Sequence, residues 1–313
     1  MVLHTRPVPD ASVPPIVAIV GPTASGKTAL SLDLATALGG EVVNTDAMQV
    51  YRGMDIGTAK LPPAERRGIR HHLLDTLDVR EISTVADFQG WARAAITDIR
   101  SRSVAPVLVG GSALYNRAIL DRFEFPGTDP AVRERLEAEL ALVGSAALHE
   151  RLRSVDPVAA ERIEVENGRR VVRALEVIEV TGESIGARLP VQEYADPATV
   201  QIGVAIERAV LDERIRLRVW RMFDDGLLEE VERLLAEGLA EGRTASAAIG
   251  YQQAIAVLAG EMTVEEAQER IVIATRRFAR RQMSWWRNDP RITWVEHDDP
   301  ERVAKALEAI AGS

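Results

Sequence analysis

The chain has 313 residues, of which 46% are hydrophobic and 27% charged, an ordinary composition for a globular protein of one or two domains. No apolar run approaches the roughly 20 residues that a membrane-spanning helix needs, and the absence of cysteine excludes disulfides and thiolate metal sites. The net charge of −9 argues against a protein that binds nucleic acid over most of its surface and leaves only local basic faces for that purpose.

The N-terminal segment, residues 1–14, is polar and contains several prolines. It lacks the apolar stretch of a secretory signal, so we expect a loose tail. The absence of cysteine suits a reducing compartment, and we expect a cytoplasmic protein.

A phosphate-binding motif follows the first predicted strand. Residues 16–20 form an apolar run, and GPTASGKT at 21–28 matches the pattern G-x-x-x-x-G-K-[ST] at every fixed position. The motif predicts a bound diphosphate or triphosphate with Mg²⁺, at the start of a helix over about 27–38. The residues expected around the phosphates are Gly21, Thr23, Ala24, Ser25, Gly26, Lys27 and Thr28, with Thr28 as the metal ligand.

Two further polar groups end predicted strands. EVVNTD at 41–46 predicts a second strand that ends near Asp46, and APVLVGGS at 105–112 a third that ends at Gly110-Gly111-Ser112, with a helix over 84–100 between them. Alternating strands and helices predict a mostly parallel sheet. Ligands bind at the carboxyl ends of parallel strands, so the phosphate loop, Asp46 and the glycine pair should meet in one site.

Three interpretations of Asp46 remain open from the pattern alone. It can hold a metal ion as in an NTPase, cap a helix that starts within TDAMQV, or act as a general base. The following segment, AMQVYRGMDIGTAK, is more typical of a substrate-contacting loop than of an ATPase. His71 and His72 have no third ligand nearby in the sequence, and we expect structural roles for both.

The remaining chain divides into a helical part and a second mixed part. Residues 125–196 show amphipathic helices without a convincing strand. The segment TVQIGVAIER at 199–208 again has the pattern of a strand. It is followed by a long helical stretch, a later arginine-rich helix and a last strand, RITWVEH. We predict an α/β fold with a P-loop NTPase-like sheet flanked by helices. Its core is formed by 15–124 and 197–313, with an all-helical insertion domain at 125–196.

Seven segments occur in the order GPTASGKT, TDAMQVYRGMDIGTAK, HHLLD, LVGGSALY, RRVVRALEV, IGYQQ and TRRFARRQMSWWR. Together they resemble the tRNA isopentenyltransferase family, the tRNA dimethylallyltransferases, from about residue 16 to 295. The first segment is unspecific by itself, but the second combined with GGSALY is highly specific. The resemblance implies transfer of a dimethylallyl group from dimethylallyl diphosphate to N6 of the adenosine just 3′ of the anticodon, in tRNAs that read codons beginning with U.

The resemblance also implies roles for individual residues. Asp46 would take the proton of the N6 amine, Ser112 would keep the hydroxyl of the usual threonine near the reacting centre, and Arg214 would lie near the diphosphate. The residues implied to contact tRNA are Asp46, Ala47, Met48, Gln49, Ser112, Arg133, Arg169, Arg170, Arg173, Gly250, Tyr251 and Gln252. Ala47 stands where the family usually has serine, and it lacks the hydroxyl that would bond base or ribose. Gln252 replaces a charged residue and would weaken a tRNA contact.

The late helix carries two arginine pairs at i, i+4 spacing, Arg276/Arg280 and Arg277/Arg281. Each pair shares a helix face, which suits either phosphate contacts or a solvated surface. Trp285 and Trp286 can stack on bases, but core packing is favoured for at least one of them.

Three other functions compete: prenylation of free adenine nucleotides, a P-loop kinase of a small metabolite, and a non-catalytic RNA-binding module. The insertion with its basic helix argues against an enzyme for free nucleotides, and the segment MDIGTAK argues against a kinase. The intact Lys27, Thr28 and Asp46 argue against a non-catalytic module. The expected partners are the tRNA anticodon stem-loop and dimethylallyl diphosphate with Mg²⁺, with no membrane, and we expect a monomer.

Overall fold

A six-stranded parallel sheet forms the centre of the protein. The computed structural model describes residues 13–123, 125–184 and 192–312. The strands are β1 (Ile16–Val20), β2 (Glu41–Asn44), β3 (His71–His72), β4 (Pro106–Val109), β5 (Thr199–Ala205) and β6 (Ile292–Glu296). They pair in the order β3-β2-β4-β1-β5-β6, and every neighbouring pair is parallel. The predicted α/β fold with a mostly parallel sheet is thereby confirmed.

The structure describes helices beside the sheet and further helices in a separate segment within residues 121–193. They are α1 (Lys27–Leu38), α2 (Val85–Ser101), α3 (Ala113–Leu120), α4 (Pro130–Val155, with a non-helical Gly144), α5 (Pro157–Arg162), α6 (Gly168–Thr181), α7 (Arg208–Asp224), α8 (Leu227–Ala236), α9 (Tyr251–Leu258), α10 (Val264–Trp286) and α11 (Arg302–Ala311). The described part of the chain contains no helix that is both long and apolar enough to cross a membrane.

The central strand β1 is buried along its whole length, because successive side chains enter different cores. Ala18 packs in the cluster that contains Phe88 of α2, whereas Ile19 packs in the cluster of Leu34 of α1 and Ile310 of α11. Covering both faces explains why these strands are continuous apolar runs rather than alternating ones.

The predicted helical stretch after β5 is interrupted. Gly226 has φ 98°, a left-handed conformation that glycine adopts without a Cβ clash, and it separates α7 from α8. The prediction of a single helical stretch was therefore wrong at this position. After the break, α8 packs against α9.

The described chain falls into two compact units, residues 13–120 with 194–312, and residues 121–193. In the second unit α4, α5 and α6 enclose an apolar cluster that includes Leu136, Leu152 and Leu175. We predicted these boundaries at 125 and 196. Residues 194–196 belong instead to the first unit, because the Ala195 amide donates to the Leu120 carbonyl at 2.8 Å and Asp196 pairs with Arg100. Of the predicted tail, residues 1–12 lie outside the described ranges.

Candidate active site

The phosphate loop joins β1 to α1 at the carboxyl edge of the sheet. Gly21 (φ 140°) and Gly26 (φ 99°) have backbone conformations that favour glycine, and a Cβ on Gly21 would lie 3.1 Å from the Val204 carbonyl oxygen. Gly26 is the N-cap of α1 and offers no side-chain acceptor. The first amides of α1 therefore remain available to an anion.

Lys27 is the buried cation of this loop. Its Nζ donates to the Pro22 carbonyl at 2.6 Å, and the residue is 9% exposed. Burial, helped by the charge of Arg218, lowers the pKa of Lys27 to about 7, although Asp46 acts in the opposite direction. An anion bound here would offset both the burial and the Arg218 charge, which disfavour the charged form of the Lys27 amine.

Two arginines of α7 and one glutamine of α10 complete the surroundings of the loop. Arg218 donates to the Thr23 hydroxyl at 3.3 Å, Arg214 to the Ser25 carbonyl at 3.5 Å, and the Thr23 amide donates to Gln282 Oε1 at 2.9 Å. Arg214 was predicted from the sequence, whereas Arg218 and Gln282 were missed. Arg218 stands four residues after Arg214, and this spacing, which places both on one helix face, was the available signal.

Asp46 follows β2 in a turn and not at a helix start, so the helix-cap interpretation was wrong. The Met48 amide donates to Asp46 Oδ1 at 2.9 Å. The Asn44 side chain accepts from the Asp46 amide at 2.9 Å and donates to the Asp46 carbonyl at 3.0 Å. Burial raises the pKa of the Asp46 carboxyl, against the opposing effects of the Met48 amide and the Lys27 charge. A raised pKa makes this carboxylate a stronger base near neutral pH.

Two neighbouring cavities lie at these strand ends. A cavity of about 160 Å³ is lined by Lys27, Thr28, Asp46 and the pair Gly110-Gly111, so the three strand ends do meet as the sequence predicted. A cavity of about 330 Å³ also contains Asp46, and its wall is largely apolar. Its lining includes Ala47, Met48, Ser112, Ile215, Val219, Ile249, Ile271 and Phe278. Arg218 lines both cavities.

Gly110 and Gly111 are required by close packing at the end of β4. A Cβ on Gly110 would lie 2.2 Å from Thr45 Oγ1, and a Cβ on Gly111 would lie 2.2 Å from Gln282 Nε2. Any larger residue would collide with these neighbours. His71 also lines the smaller cavity, and its Nδ1 bonds the Ile69 carbonyl at 2.9 Å.

A magnesium ion fits this donor set only together with substrate phosphates. Among the described residues no group of three His, Asp or Glu side chains could hold a metal ion. Mg²⁺ commonly takes one or two protein oxygens, phosphate oxygens and water, and the hydroxyl of Thr28 at the cavity wall is such an oxygen. The residues present therefore suit an ion that arrives with a diphosphate.

The predicted tRNA contacts at 250–252 differ from one another in exposure. Tyr251 is fully buried and its hydroxyl donates to Glu230 at 2.6 Å, so its side chain cannot contact RNA in this structure. This corrects the expectation for Tyr251, whose aromatic ring is used for packing. Gln252 is exposed, whereas Gly250, the N-cap of α9 with φ 98°, is buried.

The predicted arginines of the second unit also divide into two groups. Arg133 and Arg173 both bond the buried carboxylate of Glu176, at 2.5 and 2.8 Å, and thereby stabilise the helix packing. Arg169 and Arg170 are exposed at the start of α6, and no ion pair of theirs is found within the described ranges. The second pair is exposed without a described ion pair, whereas Arg133, although 41% exposed, and Arg173 are both paired with Glu176.

On α10, Arg276 bonds the Asp212 carbonyl at 3.1 Å, whereas Arg277, Arg280 and Arg281 are exposed. Trp286 is 1% exposed and Trp285 50% exposed. Trp286 is therefore a core residue, as expected for one of the two, and Trp285 presents a free aromatic surface beside the arginines.

Comparison with known sequences covers nearly the whole chain. The sequence model of the family described as IPP transferase matches residues 49–289. The tRNA dimethylallyltransferase of Nocardioides sp. strain JS614 is 68% identical over 305 residues, which are 97% of this chain and 98% of that protein.

Solved structures show the same fold. The tRNA isopentenylpyrophosphate transferase of Bacillus halodurans is 42% identical, with a TM-score of 0.70 over 95% of this chain and 96% of that chain. A eukaryotic dimethylallyltransferase, solved in crystallographic snapshots of its action on tRNA, has a TM-score of 0.80 at 26% identity, over 95% of this chain and 77% of that chain. With a matching sequence model, close relatives and the same fold, this chain belongs to the IPP transferase family.

Proposed function

We propose that this protein transfers a dimethylallyl group from dimethylallyl diphosphate to the N6 amine of a tRNA adenosine, the one just 3′ of the anticodon in tRNAs that read codons beginning with U. One observation carries the proposal: the cationic phosphate loop and the Asp46 carboxyl line one cavity, and Asp46 also lines an adjoining apolar one. This arrangement suits a substrate with an anionic head and an apolar tail beside a base. Relatives that are tRNA dimethylallyltransferases support it.

The diphosphate would bind at the N-terminus of α1. The free amides at the start of α1, the Lys27 ammonium and the guanidinium groups of Arg214 and Arg218 would hold its oxygens as negative charge grows on the leaving group. Thr28 would contribute its hydroxyl to Mg²⁺, and the bound ion would supply further positive charge to the departing diphosphate.

Asp46 would act as the general base. The N6 nitrogen forms a bond to the allylic carbon while the bond from that carbon to the diphosphate oxygen breaks, and the proton of N6 passes to the Asp46 carboxylate. The bonding electrons leave with the diphosphate, so charge and atoms balance. The apolar lining beside Asp46 would hold the prenyl group and exclude water from the reacting carbon.

The RNA would offer its target base out of the stack, which a single-stranded anticodon loop allows. Gln49 and Ser112, which line the two cavities, would contact the adenosine, and the exposed Arg169 and Arg170 would contact phosphates. The protein would act as a monomer in the cytoplasm, where its tRNA substrate is found.

A single transfer assay tests this function. The protein, Mg²⁺ and radiolabelled dimethylallyl diphosphate are incubated with a tRNA that carries the target adenosine, with the same tRNA changed to guanosine there, and with AMP. Label on the first acceptor alone is the expected result. Label on AMP would indicate a free-nucleotide enzyme, and ATP hydrolysis without any label would indicate a kinase-like protein.

A further inference from the structure

A buried carboxylate on α8 holds the backbone of the loop that walls the site. Glu230 is 6% exposed and accepts hydrogen bonds from the amides of Asp55 (3.0 Å), Ile56 (2.7 Å) and Gly57 (3.2 Å) and from the Tyr251 hydroxyl (2.6 Å). Within the described residues no cation pairs with this carboxylate. Its burial is balanced by these four donors, so Glu230 and the loop depend on each other.

The rest of the segment is equally fixed. A Cβ on Gly57 would lie 2.4 Å from the ring of Tyr251, so only glycine fits over this side chain. At the other end the Lys60 ammonium bonds the carboxylates of Asp55 and Asp75, each at 2.6 Å, and the Tyr51 carbonyl at 2.8 Å. Residues 55–60 are thus held by a buried anion at one end and a buried cation at the other.

This segment reaches the site through Thr58. Thr58 and Ala59 line both cavities beside Asp46, and Gln49 Nε2 donates to the Thr58 carbonyl at 3.1 Å and to the Ala59 carbonyl at 3.5 Å. With its amide nitrogen engaged, Gln49 is left with Oε1, an acceptor, for a substrate. An acceptor matches the N6 amine of adenine and opposes O6 of guanine, so the orientation of the Gln49 amide affects which purine is accepted.

We propose that Glu230 is a positioning residue for the target adenosine: it fixes the backbone of residues 55–57, hence the Thr58 carbonyl and the orientation of the Gln49 amide. This inference rests on the proposed function, since it assigns Gln49 to the adenosine. Glu230 is absent from the lining of both cavities, so it acts through the loop and not by touching the substrate.

The first test replaces Glu230 by glutamine, which keeps the shape but presents an NH₂ group to donors. In Glu230→Gln we expect kcat/KM for tRNA to fall about tenfold, mainly through KM, while Kd for dimethylallyl diphosphate changes by less than about twofold. Glu232→Gln, an exposed change on the same helix with the same loss of charge, should behave as wild type. An unchanged KM for tRNA in Glu230→Gln would overturn the proposal.

A double-mutant cycle with Gln49→Ala decides whether Glu230 acts through Gln49. If it does, Glu230→Gln should cost less than about twofold when Gln49 is already alanine. The same tenfold loss in both backgrounds would mean that Glu230 acts independently of Gln49, and the proposal would fail. A merely structural role would instead weaken donor binding as well.

A second variant covers the case in which Glu230→Gln does not fold. Tyr251→Phe removes one donor to Glu230 and keeps the ring under Gly57, and a smaller loss in the same KM for tRNA is expected. Faster amide hydrogen exchange at residues 55–57 in either variant would report the loosened loop without reference to activity. A wild-type protein that labels no tRNA would refute the proposed function itself, whereas unchanged exchange in these variants would refute only the anchoring role of Glu230.

Discussion

The carboxyl of Asp46 is held by backbone amides at the edge of two cavities. The Met48 amide donates to Oδ1 at 2.9 Å, the Gln49 amide also interacts with the carboxyl, and the carboxyl lines both cavities. Its raised pKa comes from burial, which favours the protonated form and therefore makes the carboxylate a better proton acceptor. These features suit a base more than a group that only holds a metal ion.

We expect Asp46→Asn to lower kcat by roughly 10²–10⁴-fold, because it removes the proton acceptor. Donor binding should remain within about twofold of wild type, since the phosphate loop is unchanged. Single-turnover transfer to tRNA gives the rate, and titration with dimethylallyl diphosphate gives the affinity. Retention of most of the activity would show that another group accepts the proton.

Glu41 offers a residue-scale test of stability away from the cavities. Its carboxylate bonds Arg102 at 2.9 Å and His72 at 2.6 Å, and the Arg102 hydrogen bonds lower the pKa of Glu41 from 4.5 to about 2. A carboxyl whose pKa is lower in the folded state stabilises the fold fully above pH 4.5, and this contribution is lost as pH falls towards 2.

Glu41→Gln should therefore lower the free energy of unfolding by roughly 2 kcal/mol at pH 7. The difference from wild type should shrink between pH 4.5 and 3, which urea unfolding at both values and at pH 7 would measure. The exposed Glu261→Gln serves as the matched control, with little effect at any pH. A constant difference for Glu41→Gln across this range would contradict the assignment.

Among the elements, α6 presents its charge in two ways. Arg173 faces the buried Glu176 and supports packing, while Arg169 and Arg170 in the first turn are exposed. The motif GRRVVR predicts a helix with a basic first turn, but it does not show which arginines form ion pairs within the protein. The carboxylate that decides this, Glu176, is on the inward face of the same helix.

Arg170→Ala should weaken tRNA binding and reduce the slope of log Kd against log salt concentration by about one, as expected for one lost phosphate contact. Arg153→Ala removes the same charge from the same unit, but Arg153 is paired with Glu150, so its slope should stay unchanged. Binding measured between 50 and 200 mM salt, roughly the range over which phosphate contacts are revealed, makes the comparison. Equal slopes for wild type and Arg170→Ala would show that Arg170 is a solvated surface residue without a phosphate contact.

The boundaries of most core elements were accessible from local signals. The apolar run of β1 and the glycine after α1 predicted these elements to the residue. The break at Gly226 and the two-residue strand β3 were missed. A glycine within a helical pattern can remain part of the helix, so Gly226 did not signal a break. A strand of two residues shows no periodicity, and β3 is defined only by its pairing with β2.

For the whole molecule, ligand binding should stabilise the first unit, which contains the phosphate loop. Dimethylallyl diphosphate with Mg²⁺ at 100 times its Kd should add about 2.7 kcal/mol to the stability of that unit. Thermal unfolding with and without this ligand measures the shift, and ATP at the same concentration is the comparison. A shift with ATP as large as that with the prenyl donor would favour a kinase.

By itself the sequence determined the parallel α/β architecture, the phosphate loop, Asp46 and the family, because apolar runs, glycine spacing and dense motifs are local properties of the chain. Tertiary structure alone decided that Arg218 and Gln282 join the loop, that Tyr251 is buried, and that Glu230 holds residues 55–57. These contacts join residues about 170 to 260 positions apart, and which distant side chains meet depends on the packing of α7, α8 and α10 onto the sheet edge.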